Sequence, residues 1–303
     1  MLENLFPLKF LAYLNKTPIT KINEIRLRIG KRVVVCIGSK SYFLCAEGLT
    51  GNAERAVKAD RELIEYVFRC ACENSVYAFS NQIRNGFITI KGGIRVGITG
   101  EAVNEKNIVK TFKNIGSLLV RIPTEVKGCA QKILNYLFDG DFQNTLIVAP
   151  PGAGKTTMVR DILLQLSQKN YCYNVLLVDE RFEIANCFNG VPTLDVGNFC
   201  DVLSGVTKSF AFECGIRSMR PDIVATDEIS CAKDYNAILQ ASSCGVKIVA
   251  TIHAKNVEDL KSKLDFDLIL ANKVFKRIVV LSCSNGPGTI EGVYDQNLRC
   301  ISY

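Results

Sequence analysis

Apolar and polar positions change rhythm part-way along this 303-residue chain. In the first part, Ile25, Leu27 and Ile29 alternate with Arg26 and Arg28, the period of a half-buried strand over 22–29. Strands at 33–37 and 42–44 follow, punctuated by Gly30-Lys31 and Gly38-Ser39, so a small antiparallel meander is expected. Leu63, Ile64, Val67, Phe68 and Ala71 recur at helical spacing and predict a helix over 60–73. Two further strands, 87–90 and 94–99, flank Lys91-Gly92-Gly93, a hairpin signal. Residues 1–15 read as helical, 104–114 as a polar loop, 118–122 as a strand and 126–138 as a helix closed by Asp139-Gly140.

From residue 144 the pattern becomes apolar runs separated by helical segments. Strands are expected at 146–149, 174–179, 222–226, 246–251, 276–282 and 289–294. Apolar strands alternating with helices predict an α/β domain with a mainly parallel sheet covered on both faces. The expected organisation is a smaller α+β domain over 1–123, a linker helix over 124–143 and an α/β domain over 144–303.

Composition adds little to that picture: 48% apolar and 22% charged residues are ordinary for a folded chain. The charge is unevenly placed, with 21 Lys/Arg against 12 Asp/Glu in residues 1–140 and 16 against 18 in the remainder. A basic first part suits anionic lipid, nucleic acid, a neighbouring subunit's nucleotide, or plain solvation. Thirteen cysteines without a pairing rhythm, and a single histidine, suggest free thiols and exclude a Cys₂His₂ zinc site. The first residues lack a signal-peptide pattern, and no apolar run is long enough to span a membrane.

The chemistry concentrates in Ala149-Pro-Pro-Gly-Ala-Gly-Lys-Thr-Thr157, between an apolar strand and a helical pattern carrying Val159, Ile162, Leu163 and Leu166. Strand, glycine loop, Lys-Thr and helix form the context of a phosphate-binding loop. Glycines let backbone N–H groups converge on one anion, and the helix N-terminus adds unpaired donors. The expected nucleotide contacts are Pro151, Gly152, Ala153, Gly154, Lys155, Thr156 and Thr157, with the Thr156 hydroxyl on Mg²⁺. Ala149 stands where the strict motif has glycine.

Three more strand ends carry candidates. Asp227 and Glu228 close the strand at 222–226; on a strand next to the phosphate-loop strand, Asp227 would hold the metal and Glu228 would polarise water. Asp179, Glu180 and Glu183 follow another strand, and Glu180 is favoured as a participant while its neighbours cap the following segment. His253 lands at the same carboxyl edge, where open α/β sheets bind ligands. Arg217 and Arg220 precede the Asp-Glu strand and are candidates either for stabilising phosphoryl charge or for shaping a turn.

These motifs, with Val178-Asp-Glu-Arg-Phe-Glu-Ile184, Arg217-Ser-Met-Arg-Pro-Asp-Ile-Val-Ala-Thr-Asp-Glu228 and Ala250-Thr-Ile-His253, resemble the secretion ATPases of type II and type IV systems, most closely the stage III sporulation protein AA family. Glu24-Ile-Arg-Leu-Arg-Ile-Gly30 and Gly86-Phe-Ile-Thr-Ile-Lys-Gly-Gly-Ile-Arg-Val-Gly97 extend the resemblance to the first part. It implies a RecA-like ATPase domain using ATP and Mg²⁺, with Lys155 and Thr156 in the Walker A motif, Asp227 and Glu228 in Walker B, Glu180 in the acidic box and His253 in the histidine box. It also implies a homo-oligomer, a hexamer, with nucleotide held between the two domains and Arg95 and Arg121 as candidates to reach it. The implied place of work is the mother-cell cytoplasm, peripheral to the forespore membranes, with membrane-embedded channel proteins as partners.

The competing classes are a nucleic-acid-dependent RecA-like ATPase and an ATP-binding assembly scaffold. No basic motif studded with aromatics is visible, so nucleic acid is not expected as a partner. Asn272-Lys273 suggests a guanine motif, but Phe275 stands where its carboxylate would be, which argues against a GTPase.

Overall fold

Ile25 and Leu27 lie at the centre of the first sheet, because their strand is paired on both sides and their side chains face the core. The computed structural model describes residues 2–38, 40–105, 108–123, 125–167, 171–262 and 271–302. Two compact units divide the chain at Thr124 and Glu125. The first contains α1 (Leu8–Leu14), β1 (Ile22–Arg28), β2 (Val34–Ile37), β3 (Lys40–Cys45), β4 (Gly48–Thr50), α2 (Arg61–Ala71), α3 (Ser80–Arg84), β5 (Phe87–Ile90), β6 (Ile94–Glu105) and β7 (Ile108–Arg121). Its strands form one antiparallel sheet in the order β4-β3-β2-β1-β7-β6-β5. Helix α2 starts where Asp60 accepts a hydrogen bond from the Leu63 N–H at 2.8 Å, and it buries Ile64, Val67 and Ala71.

Of the expected loop at 104–114, residues 104–105 and 108–114 belong instead to a long β6–β7 ribbon, in register at Glu101↔Lys113 and Asn104↔Val109, and 106–107 lie outside the described residues. Polar side chains on both faces hide a strand's alternation from the sequence. The ribbon is held by its ladder and by cross-strand polar pairs, including Asn114 to Glu101 at 3.0 Å and Lys113 with Glu101 at 3.6 Å.

The second unit begins with α4 (Gln131–Leu134) and a 3₁₀ turn, followed by the small hairpin β8 (Phe138–Asp139) and β9 (Asp141–Phe142). No helix spans 126–138. The N–H groups of Gly128 and Ala130 go to the Asp161 carboxylate at 2.8 and 2.6 Å, and Gly128 has φ +82°. The left-handed φ of Gly128 interrupts the helical path, and the two hydrogen bonds satisfy N–H groups that lie ahead of α4.

The main sheet contains β10 (Thr145–Ala149), β11 (Val175–Asp179), β12 (Cys200–Ser204), β13 (Ile223–Glu228), β14 (Lys247–His253), β15 (Arg277–Ser282), β16 (Thr289–Asp295) and β17 (Cys300–Ser302). Its order is β12-β11-β13-β14-β10-β15-β16-β17; the strands through β15 are parallel and the last two antiparallel. Helices α5 (Lys155–Leu166), α6 (Lys208–Met219), α7 (Ala232–Ser243) and α8 (Val257–Lys261) complete the unit. Strand β10 is buried on both faces. Leu146 and Val148 join the core that includes Phe212 and Ile238, while Ile147 and Ala149 join the core with Val159 and Ile162.

None of the thirteen cysteines is joined in a disulfide. Burial pushes Cys72 up to about 11 and both Cys129 and Cys200 up to about 12, which keeps these three protonated near neutral pH.

Leu27 is fully buried in the central strand β1. Leu27→Ala should destabilise the first unit by roughly 2–5 kcal/mol through lost burial and a residual cavity. Urea unfolding of the whole chain checks this, and the transition of the second unit should stay in place.

Candidate functional site

Parallel register brings the functional side chains to one edge of the main sheet. Ala149 at the end of β10 stands opposite His253 at the end of β14, and Thr251 of β14 stands opposite Glu228 of β13. Sequence reasoning expected the Asp-Glu strand beside the phosphate-loop strand; β14 lies between them, so the acids reach the site from the next strand but one. In a regular strand Asp227 and Glu228 would face opposite ways. The register of β13 slips between Ala225 and Glu228, and this bulge lets both side chains line one cavity.

That cavity has a volume of about 410 Å³. It is lined by Pro151, Gly152, Gly154, Lys155, Thr156 and Thr157 of the loop, and by Arg181, Glu183, Ile184, Asp227, Glu228, Thr251 and His253. Ala153 is the loop residue turned away, buried in the core. Ala149 is the last residue of β10, fully buried and extended, so the missing glycine of the motif costs no loop geometry. Gly154 precedes helix α5 with φ +85°, and a Cβ there would come within 3.2 Å of the Gly288 nitrogen. The Gly288 N–H in turn donates to the Ala153 carbonyl at 3.1 Å, which fixes the loop from its far side.

Lys155 has three acceptors close to its ammonium: the carbonyls of Ala149 (3.1 Å) and Pro150 (3.2 Å) and Nδ1 of His253 (2.8 Å). A lysine ammonium only donates, so Nδ1 accepts and the ring proton sits on Nε2. Nε2 lies 3.4 Å from Glu228 Oε2, and Arg181 donates to the same oxygen at 3.3 Å. Lys155, His253, Glu228 and Arg181 therefore form one polar chain across the cavity.

A second cluster stands beside it. Lys208, at the head of α6, is 2.7 Å from Glu180 and 2.8 Å from Asp227 Oδ1. The approach to Asp227 is an ion pair by distance, but its angle falls short of a hydrogen bond, so neither oxygen of this buried carboxylate has an aligned donor. Burial raises the Asp227 carboxyl above its ordinary value, against the pull of Lys208 and with Asp179 and Glu180 adding to the rise. Burial works to lower Lys208, but Asp227 and Glu180 outweigh it and raise the ammonium, which stays charged.

Asp179 is the structural acid of its group. Its carboxylate accepts from the N–H groups of Glu183, Ile184, Ala185 and Asn186 at 2.8–3.3 Å. Arg160 of α5 holds the same segment by donating to the carbonyls of Ile184 and Glu183 at 2.6 and 2.9 Å. Glu180 does not line the cavity and meets it through Lys208.

Of the two roles open to Arg217 and Arg220, the turn is the one this chain shows, and neither arginine lines its cavity. Arg217 and Arg220 close helix α6 and precede β13 at its amino end, while the acids sit at the carboxyl end. Six strand residues separate the two edges, about 20 Å. Arg217 lies 3.9 Å from Glu213 on the exposed helix surface, and Arg220 adopts a left-handed φ of +47° as the helix cap, which is the turn-forming role. In the first unit, Arg95 and Arg121 are register partners; Arg95 stacks over Phe87 at 3.5 Å and Arg121 lies 3.8 Å from Glu24. The cations that sequence reasoning passed over are Arg181, inside a quoted motif, and Lys208, which no local pattern marks.

The family profile described as "Sporulation stage III, protein AA" matches residues 6–301. Stage III sporulation protein AA of Bacillus subtilis (strain 168) is 33% identical over 285 residues, covering 93% of this chain and 89% of that protein. The chain belongs to the stage III sporulation protein AA family. As a member of that family it shares its fold with two solved structures. The Legionella pneumophila ATPase DotB aligns with a TM-score of 0.58 at 13% identity, covering 86% of this chain and 72% of that one. The pilus retraction motor PilT with bound ADP gives the same TM-score and identity, covering 90% and 78%. The fold of this family member is the expected RecA-like α/β architecture.

Asp179→Ala would orphan up to four backbone donors, three of them within the 183–185 segment. A loss of about 3 kcal/mol or more is expected. Thermal unfolding should show it, with faster amide exchange in that segment than in β10.

Proposed function

We propose that this chain is an ATP-hydrolysing motor of a sporulation-associated, secretion-like channel complex. The observation that carries the reading is the convergence, on one cavity, of a phosphate-binding loop, a buried carboxylate without aligned donors and a second carboxylate held by a histidine and an arginine. A surface turn that merely carries Gly-Lys-Thr would have no reason to collect these partners from three strands.

The residues present fit a magnesium nucleotide. The loop glycines leave room for phosphate, and Thr156 and Asp227 supply the hard oxygen donors that magnesium prefers. When bound, magnesium neutralises phosphate charge and polarises the phosphoryl oxygens. Lys155 exchanges its two loop carbonyls and His253 for the phosphates, a gain because charged acceptors make the stronger hydrogen bonds. His253, released from Lys155, keeps its Nε2 proton toward Glu228 and can use Nδ1 as an acceptor. Glu228 is the group placed to orient water and receive its proton: it lines the cavity at the end of β13, whereas Asp179 is taken by backbone donors and Glu180 by Lys208. Arg181 supplies a cation at the cavity from within the same chain.

Membership of the family supports the finer parts of the proposal: assembly as a homohexamer, work in the mother-cell cytoplasm at the forespore membranes and coupling to membrane-embedded channel proteins. Among the described residues no helix is long and apolar enough to cross a membrane.

Lys155→Ala should abolish detectable Mg·ATP binding in calorimetry; undiminished affinity would refute the phosphate-loop assignment. Glu228→Gln should bind ATP as the wild type does while phosphate release falls by two orders of magnitude or more, roughly the scale of a lost general base. Turnover at the wild-type rate would remove that role from Glu228.

A further inference from the structure

Lys208 is buried to a degree that lysine tolerates only when paired, with its side chain 4% exposed. It joins acids from two different strands, Glu180 after β11 and Asp227 in β13, at 2.7 and 2.8 Å. It is separate from the lysine of the phosphate loop, whose ammonium faces Ala149, Pro150 and His253. The Asp227 side chain is 8% exposed, lines the cavity and has no aligned donor on either oxygen.

We propose that Lys208 is a positioning residue that acts as a fixed internal cation on Glu180 and Asp227, so that the cavity admits a divalent metal ion only together with the phosphates of a nucleotide. The inference rests on the reading of Asp227 as the metal-side carboxylate. Without the ammonium, two neighbouring carboxylates would present two negative charges, which is the arrangement that draws a free divalent ion. With it, half that charge is neutralised before any ion arrives. Among the described residues no three His, Cys, Asp or Glu side chains converge to hold a metal. Beyond Asp227 and the neutral Thr156 hydroxyl, the coordination positions fall to water or phosphate oxygens. A strongly hydrated ion gains little by exchanging water for one half-neutralised carboxylate, whereas a triphosphate brings several oxyanions with it. Lys208 also holds Asp227 by one side, at Oδ1, and leaves Oδ2 for that ion's shell.

The test is a titration of the full chain with Mn²⁺, followed by electron paramagnetic resonance of the free ion, with and without a non-hydrolysable ATP analogue. Wild type should take up Mn²⁺ with the analogue and only weakly without it. Lys208→Met, or Lys208→Gln if the methionine variant does not fold, should bind Mn²⁺ alone at least about tenfold more tightly, as expected when one of two facing charges loses its counter-ion. Lys208→Arg should restore the dependence on nucleotide, which a loss of packing alone would not explain. Wild type binding Mn²⁺ equally well without the analogue, or neutral variants no tighter than wild type while Mn²⁺ with the analogue still binds, would overturn the role of Lys208. A wild type that binds Mn²⁺ under neither condition would overturn the nucleotide reading itself, and this inference with it.

Discussion

The parallel register of β10, β14 and β13 is the constraint on which the site depends. Backbone hydrogen bonds, not side chains, set Ala149 opposite His253 and Glu228 opposite Thr251. Once that register holds, the three strands end at the same edge, and Asp227, Glu228 and His253 at the ends of β13 and β14 line one cavity with the loop after β10. A slip of one residue would turn each functional side chain to the other face. The apolar alternation along β10 protects the register, because its two faces bury different residues in different cores and neither can be exchanged cheaply.

Electrostatics then organises what the register has gathered. Four acids at or beside the cavity have counterparts: Asp179 the backbone N–H groups of 183–186, Glu180 and Asp227 the Lys208 ammonium, and Glu228 the pair Arg181 and His253. Burial makes these assignments consequential, since a charge without a partner in a low-dielectric interior is costly. Helix α5 serves both sides of the arrangement. Its first turn carries Lys155 and Thr156, while Arg160 and Asp161 one turn later fasten the 183–184 and 128–130 segments. The phosphate loop is thereby tied to the loops around it rather than only to its own strand.

Much of this was legible in the sequence, for identifiable reasons. The phosphate loop is local: glycines, lysine and threonine act within a few residues of one another, so their spacing alone carries the geometry. The central strands β10, β11, β13 and β14 were legible because both faces are buried and the runs are largely apolar, whereas β12 and β17, only partly buried, were not expected. The β6–β7 ribbon was not, because its polar faces leave no alternation to read, and the 126–138 helix failed because Gly128 turns left-handed and a distant carboxylate, Asp161, satisfies the N–H groups ahead of α4. The sequence left Arg217 and Arg220 open between two roles for a related reason: closeness in sequence to the Asp-Glu strand does not say at which end of it they stand, and they stand at its beginning, a full strand length from its end.

By itself, the sequence determined the class of fold, the family and the place of the glycine-lysine-threonine loop between strand and helix, because each depends on short-range periodicity or on contiguous residues. Only the tertiary structure decided that β14 separates the loop strand from the acid strand, that a bulge turns Asp227 and Glu228 into one cavity, and that Lys208 and Arg181 are the cations facing them. Those outcomes depend on strand order and on pairings between residues tens of positions apart, and no local spacing encodes either.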